Sequence, residues 1–124
     1  MNASTSNRPS DPLAPLLSQA RRHGHLSVLG PEGEPPMLLD LRLTTGDALA
    51  LGYPHLLAAE LDASGSLTLH AARHTVVLSG RNLGPLYAAL VALRLRGVRE
   101  VGSRDDDLPE TVTTVNDIAV RRIT

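Results

Sequence analysis

Few side chains in this sequence are equipped for chemistry, and they fall in four places. His23 and His25 form an H-x-H pair. On a strand that spacing turns two imidazoles to one face, the arrangement a divalent metal site uses. His70 and His74 make a second pair, and Asp105, Asp106 and Asp107 form an acidic run whose carboxylates suit calcium or magnesium. The fourth place is the glycine corner "SGRNLGP", Ser79 to Pro85. Backbone amides freed by Gly80 and Gly84 at a helix N-terminus, with Arg81 beside them, would hold an anion there.

Each place lacks part of the pattern its chemistry needs. No H-E-x-x-H or facial triad accompanies the histidines, so metal binding by His23 and His25 stands as an alternative reading. If Ala72 and Arg73 form a two-residue hairpin loop, Leu69 faces Val76 and Leu67 faces Leu78. In that register His70 and His74 point to opposite faces. The aspartate run has neither the alternating D-x-D-x-D-G order nor a distal glutamate, which favours a solvated loop. The corner has neither G-x-G-x-x-G nor G-x-x-x-x-G-K-[ST] spacing, and Ser79 is not in a G-x-S-x-G elbow; it reads as a structural turn. Arg21, Arg22, Arg121 and Arg122 each close an amphipathic segment and would form a basic patch only if the two termini meet.

"VVLSGRNL" is similar to the second signature of Sm-like RNA-binding proteins, a strand leading into Arg-Gly-Asn-type residues and an aliphatic. Gly80, Asn82 and Leu83 match in kind. The upstream order, a helix followed by "LRLTTGD" and a strand meander, also resembles that fold. The resemblance implies nucleic-acid contacts through Arg81 and Asn82 and a ring built by edge-strand pairing. Ser79 stands where the family has an arginine before the glycine, and Asp62 is followed by Ala63 and Ser64 rather than by the first signature's asparagine.

The elements that must position these residues are legible from periodicity. Residues 1–10 are polar, small and aperiodic, and read as a disordered tail ahead of one small β-rich domain over 11–124. Asp11 as N-cap and Pro12 at the first helical position, with Leu13, Leu16, Leu17 and Ala20 on one side, predict a short helix to Arg22 that Gly24 closes. "HLSVL" reads as a short strand, and the glycines and prolines of "GPEGEPP" as a loop. Met37, Leu39, Leu41 and Leu43 alternate with polar residues, "TTGD" turns the chain, and Leu49, Leu51 and Tyr53 return it until Pro54. Leu57, Ala59 and Leu61, then Leu67, Leu69 and Ala71 after the "DASG" turn, then Val76 and Leu78, complete an antiparallel meander of about five strands. Leu83, Leu86, Leu90 and Leu93 predict a longer helix running from Gly84 to a stop at Gly97. "VREV" and "TVNDIAVRRI" read as strands, the latter with Ile118 and Val120 inward, and "GSRDDDLPE" as a loop. The fold class is α+β, an open sheet or a small barrel with two helices. Its order of strands and helix is similar to that of pleckstrin-homology-like barrels.

Composition narrows the function. The 124 residues contain no cysteine, which removes disulfides, thiolate metal sites and thiol nucleophiles. Twelve basic against 13 acidic residues leave a formal charge of -1, so no global field draws the chain to nucleic acid or anionic membrane. With Tyr53 and Tyr87 as its aromatics and neither Phe nor Trp, the chain lacks the usual platforms for stacking bases or sugars. No apolar run approaches a membrane span and no signal pattern opens the chain, so a cytoplasmic location is expected. No nucleophile, base and oxyanion donor assemble. The expectation is therefore a non-catalytic binding or scaffold module without a cofactor, whose partner is a protein, a second copy of the chain included. The Sm-like and histidine-metal readings are its alternatives.

Overall fold

Asp11 opens the first helix from outside it, its carboxylate accepting the Leu13 amide at 3.1 Å. The computed structural model describes residues 11–102 and 108–123. Helix α1, Ala14–His23, starts two residues after Pro12 because residues 12 and 13 form a turn closed by the Ala14 amide on the Asp11 carbonyl. It ends where expected: Gly24 takes a left-handed conformation (φ 75°) and returns its amide to the Ala20 carbonyl. Leu13, Leu16 and Ala20 are buried against the sheets.

Among the described residues, eight strands follow in two open sheets. The first has the order β1-β7-β2-β3, from Leu26–Val28, Leu95–Arg99, Leu38–Arg42 and Ala48–Gly52. The second has the order β4-β5-β6-β8, from Leu56–Leu61, Leu67–Ala71, His74–Arg81 and Thr114–Arg122. The strands of the expected meander are present in sequence, but they divide: β2 and β3 belong to one sheet, β4 to β6 to the other. The break falls at Pro54, within a 3₁₀ turn over Tyr53–His55 that lifts the chain out of β3. Each sheet ends in strands with one partner, so neither closes into a barrel.

Register follows apolar alternation. Leu39 faces Leu51 and Leu41 faces Leu49 across a turn whose Gly46 has φ 97°. Leu67 faces Leu78 and Leu69 faces Val76, the register that a two-residue Ala72–Arg73 loop requires. Met37, expected inward, precedes β2 and is 77% exposed. In β4 the inward residues are Leu56 and Ala59, not Leu57, and Leu61, opposite the buried Leu67, is 37% exposed at the strand's end. A bulge between Leu56 and Ala58 inserts Leu57 as an extra residue and turns it outward. Ile118 is inward, whereas Val120 is 40% exposed on β8, an edge strand with a neighbour on one side only.

The second helix, α2, spans Gly84–Val91 and at eight residues is shorter than the ten of α1, not longer. Leu83, Leu86 and Leu90 are buried as the stripe predicted. Leu93 is not: it adopts φ 58° and the residues beyond it become β7, with Gly97 inside the strand. Pairing decides this. β7 lies between β1, antiparallel, and β2, parallel, and satisfies main-chain groups on both, an interaction that helical propensity does not offset. Leu95 and Val98 join Leu39, Leu41, Leu67, Leu69, Leu78, Leu86 and Leu90 in one core between the sheets.

Two ionic clasps lock this packing. Arg94 forks onto Asp11 with Nη1 and Nη2 at 2.6 and 2.8 Å and donates Nε to the Leu29 carbonyl at 2.8 Å. That guanidinium holds the Asp11 carboxyl below its ordinary range. Glu100 joins the sheets, accepting the amide and hydroxyl of Thr44 on one oxygen, each at 2.8 Å, and the Ile118 amide on the other at 2.6 Å. Burial pushes its carboxyl up, but these three donors outweigh it and the net direction is down. Among the described residues, no helix is long and apolar enough to cross a membrane.

Candidate binding surface

The glycine corner is filled by the chain itself. Gly80 sits at a bulge of the β6–β8 ladder, where a Cβ would lie 1.9 Å from the Thr114 carbonyl oxygen. Asn82 is left-handed (φ 55°) and donates Nδ2 to the carbonyls of Glu110 and Val112. Thr113 returns its hydroxyl to the Asn82 carbonyl at 2.6 Å, and Arg81 Nε donates to the Thr114 hydroxyl at 3.3 Å. From α1, Gln19 pairs both halves of its amide with the main chain of Thr113, at 2.7 and 2.9 Å. Arg81 and Asn82, which the Sm-like resemblance would assign to RNA, thus hold residues 110–114 in place. After Asn82 the chain enters α2 and then the other sheet.

The histidines separate. His23 ends α1, Gly24 reverses the chain, and His25 leads into β1, so the two line different hollows. His70 and His74 take opposite faces. The first donates Nε2 to Glu60 at 2.8 Å on the outer side of the second sheet, and His74 pairs with Arg122. Among the described residues, no three His, Asp or Glu side chains gather as a metal site would need. Asp105, Asp106 and Asp107 lie outside the described residues. The arginine doublets do not meet: Arg121 and Arg122 pair with Thr75 and His74 at the far end of β8, roughly 25 Å along the strand from Thr114.

A different surface emerges at the open edge of the second sheet. Beside β4, a hollow of about 230 Å³ is walled by Leu56, Leu57 and Ala59 on one side and by Leu90, Val91 and Leu93 on the other. Leu57 is 71% exposed, Val91 64% and Leu93 43%. Leu93 is held there in a backbone conformation that a leucine rarely adopts. The main chain of β4 is paired on one side only, by β5. Sequence periodicity concealed this surface because it set Leu57 and Leu93 in the core. The Leu56-Leu57 doublet, which breaks strict alternation, is the signal that pointed to the bulge. Compared with known proteins, the chain matches no family model, no curated protein and no solved structure.

Proposed function

We propose that this chain is a non-catalytic binding module that self-associates by pairing β4 with β4 of a second copy. The observation that carries the reading is the contrast between the two edges of the second sheet. β8 carries Asp117, Arg121 and Arg122, charges of the kind that keep an edge strand from pairing. β4 carries one charge, Glu60, already engaged with His70, amid Leu57, Ala58, Ala59 and Leu61. An edge whose single charge is engaged, with bare amides and carbonyls, is a template for another strand. β3, one of the two edges of the first sheet, offers mainly alanines outward.

A second copy fits because the edge is close to self-complementary. A two-fold axis through Ala59 in an antiparallel pair sets Ala58 opposite Glu60 of the other copy, the isologous arrangement that closed dimers use. Val91 and Leu93 then continue the apolar contact beyond the strands. Sedimentation or light scattering at about 100 μM, where a complex with a micromolar dissociation constant is nearly fully formed, should give twice the chain mass. Leu57→Lys should give the single-chain mass with a cooperative melt whose midpoint, unlike that of the wild type, does not vary with concentration, since Leu57 contributes little to the core. A monomeric wild type at that concentration, or a dimer that survives Leu57→Lys and Leu61→Lys together, refutes the reading.

A further inference from the structure

The outer face of the first sheet carries a polar trough that none of the packing requires. Leu26, Val98 and Leu41 point inward from β1, β7 and β2, so their neighbours point out in two rungs. One rung is Ser27, Gly97 and Asp40. In the other, Arg99 stands beside Arg42 across the parallel pair, and its amide donates to the His25 carbonyl at 2.8 Å. Gly97 forms the floor: a Cβ there would lie 3.3 Å from the Asp40 carbonyl oxygen and 3.7 Å from Ser27 Cβ, and its absence leaves a hollow of about 370 Å³.

The charges on this face are unbalanced. Like charges directly opposite on neighbouring strands destabilise a sheet, yet Arg42 and Arg99 occupy one rung. Asp40 meets Arg42 Nε at 2.9 Å, which fixes that guanidinium but leaves its two Nη groups without a partner among the described residues. Arg99 has no side-chain partner among the described residues, and Ser27 lines the same trough. His25, whose buried Nδ1 has no hydrogen-bond partner among the described residues, also lines the trough.

We propose that this trough binds the phosphate group of a small phosphorylated ligand, held between the guanidiniums of Arg42 and Arg99 with the Ser27 hydroxyl as a further donor. Guanidinium forks match phosphate oxygens, and a dianion relieves the repulsion of the paired arginines. A carboxylate brings one negative charge and two oxygens to these donors, against the roughly two charges and three oxygens of a phosphate monoester.

The test is a titration with inorganic phosphate at fixed ionic strength, followed by backbone amide NMR. Saturable shifts should be confined to the amides around Ser27, Asp40 and Gly97. Arg99→Gln and Arg42→Gln, both at exposed positions, should each weaken binding about tenfold or more without unfolding the protein. Arg121→Gln, on β8, should change nothing. Shifts that grow linearly without saturation, an equal response to acetate, or a phosphate affinity unaltered by Arg99→Gln would each overturn the proposal.

Discussion

Gly80→Ala should be among the most damaging small substitutions in the molecule, for a reason that is steric. Gly80 is absent from the glycines with positive φ, so a methyl group meets no dihedral penalty there. It meets the facing strand instead, 1.9 Å from the Thr114 carbonyl oxygen, 2.8 Å from its carbon and 2.9 Å from Val115 Cα. Ordinary contact begins near 3.4 Å, so β6 and β8 must part by about 1.5 Å. That displacement stretches N–H···O bonds from about 2.9 Å to beyond 4 Å, outside hydrogen-bonding range. The rungs Gly80–Val115 and Arg81–Thr114 are the ones affected. Losing about two backbone bonds at about 1 kcal/mol each, with part of the burial of Val115, gives a cost of about 3 to 4 kcal/mol. Against a total stability of roughly 5 to 15 kcal/mol this is a large share. Gly84 is the control: a Cβ there meets nothing, and a modest helical gain is offset by the restriction that Pro85 places on it, so Gly84→Ala should stay within about 1 kcal/mol of wild type. Urea unfolding followed by circular dichroism would read both variants as shifts in midpoint at constant slope. A Gly80→Ala protein within about 1 kcal/mol of wild type would show that the ladder opens freely and that the steric reasoning fails.

Two further outcomes follow from the packing. Glu100→Gln should destabilise by about 1 to 3 kcal/mol, because the amide that replaces one oxygen faces either the Thr44 or the Ile118 donors and leaves them unsatisfied; thermal melts would detect it. The folded Glu100 carboxyl is shifted down from 4.5, so its contribution is present above that value and is lost as pH falls through the depressed folded value. The wild type should therefore lose its advantage over Glu100→Gln in acid, and a gap that stays constant with pH would contradict this. Leu86→Asp should abolish folding, because Leu86 is fully buried and an unpaired carboxylate there costs several kcal/mol. A cooperative, wild-type-like melt would place that face of α2 in solvent.

Local pattern made the hairpins legible. Where a strand alternates cleanly and its turn is short, as from Leu67 through Leu78, the register is forced, because a shift by one residue would turn the whole apolar set to solvent. The same constraint correctly placed His70 and His74 on opposite faces. The division into two sheets was not legible, since Pro54 ends a strand equally well at a turn within one sheet and at a crossing between two. The extent of the second helix misled for a related reason: leucines at 86, 90 and 93 keep a helical period, while Leu95 and Val98 bury equally well on a strand. Only the unfilled edges of β1 and β2, far away in sequence, decide between them.

That decision generates both proposed surfaces. Had the helix continued to Gly97, β1 and β2 would have no strand between them, and Arg99 could not stand beside Arg42 over a glycine floor. Ending it at Val91 instead requires the chain to reverse within Ala92 to Arg94, and Leu93 takes a positive φ to do so. Such a residue costs on the order of 1 kcal/mol, which a glycine would avoid. The leucine side chain held in that reversal stands beside Leu57 and Val91, where it extends the apolar border of β4. The chain leaves the same reversal through Arg94, whose guanidinium fastens Asp11 and the start of α1 to the new strand. One short segment, strained at Leu93 and clamped at Arg94, thereby completes the first sheet, sets its arginine rung and leaves the second sheet with an apolar edge.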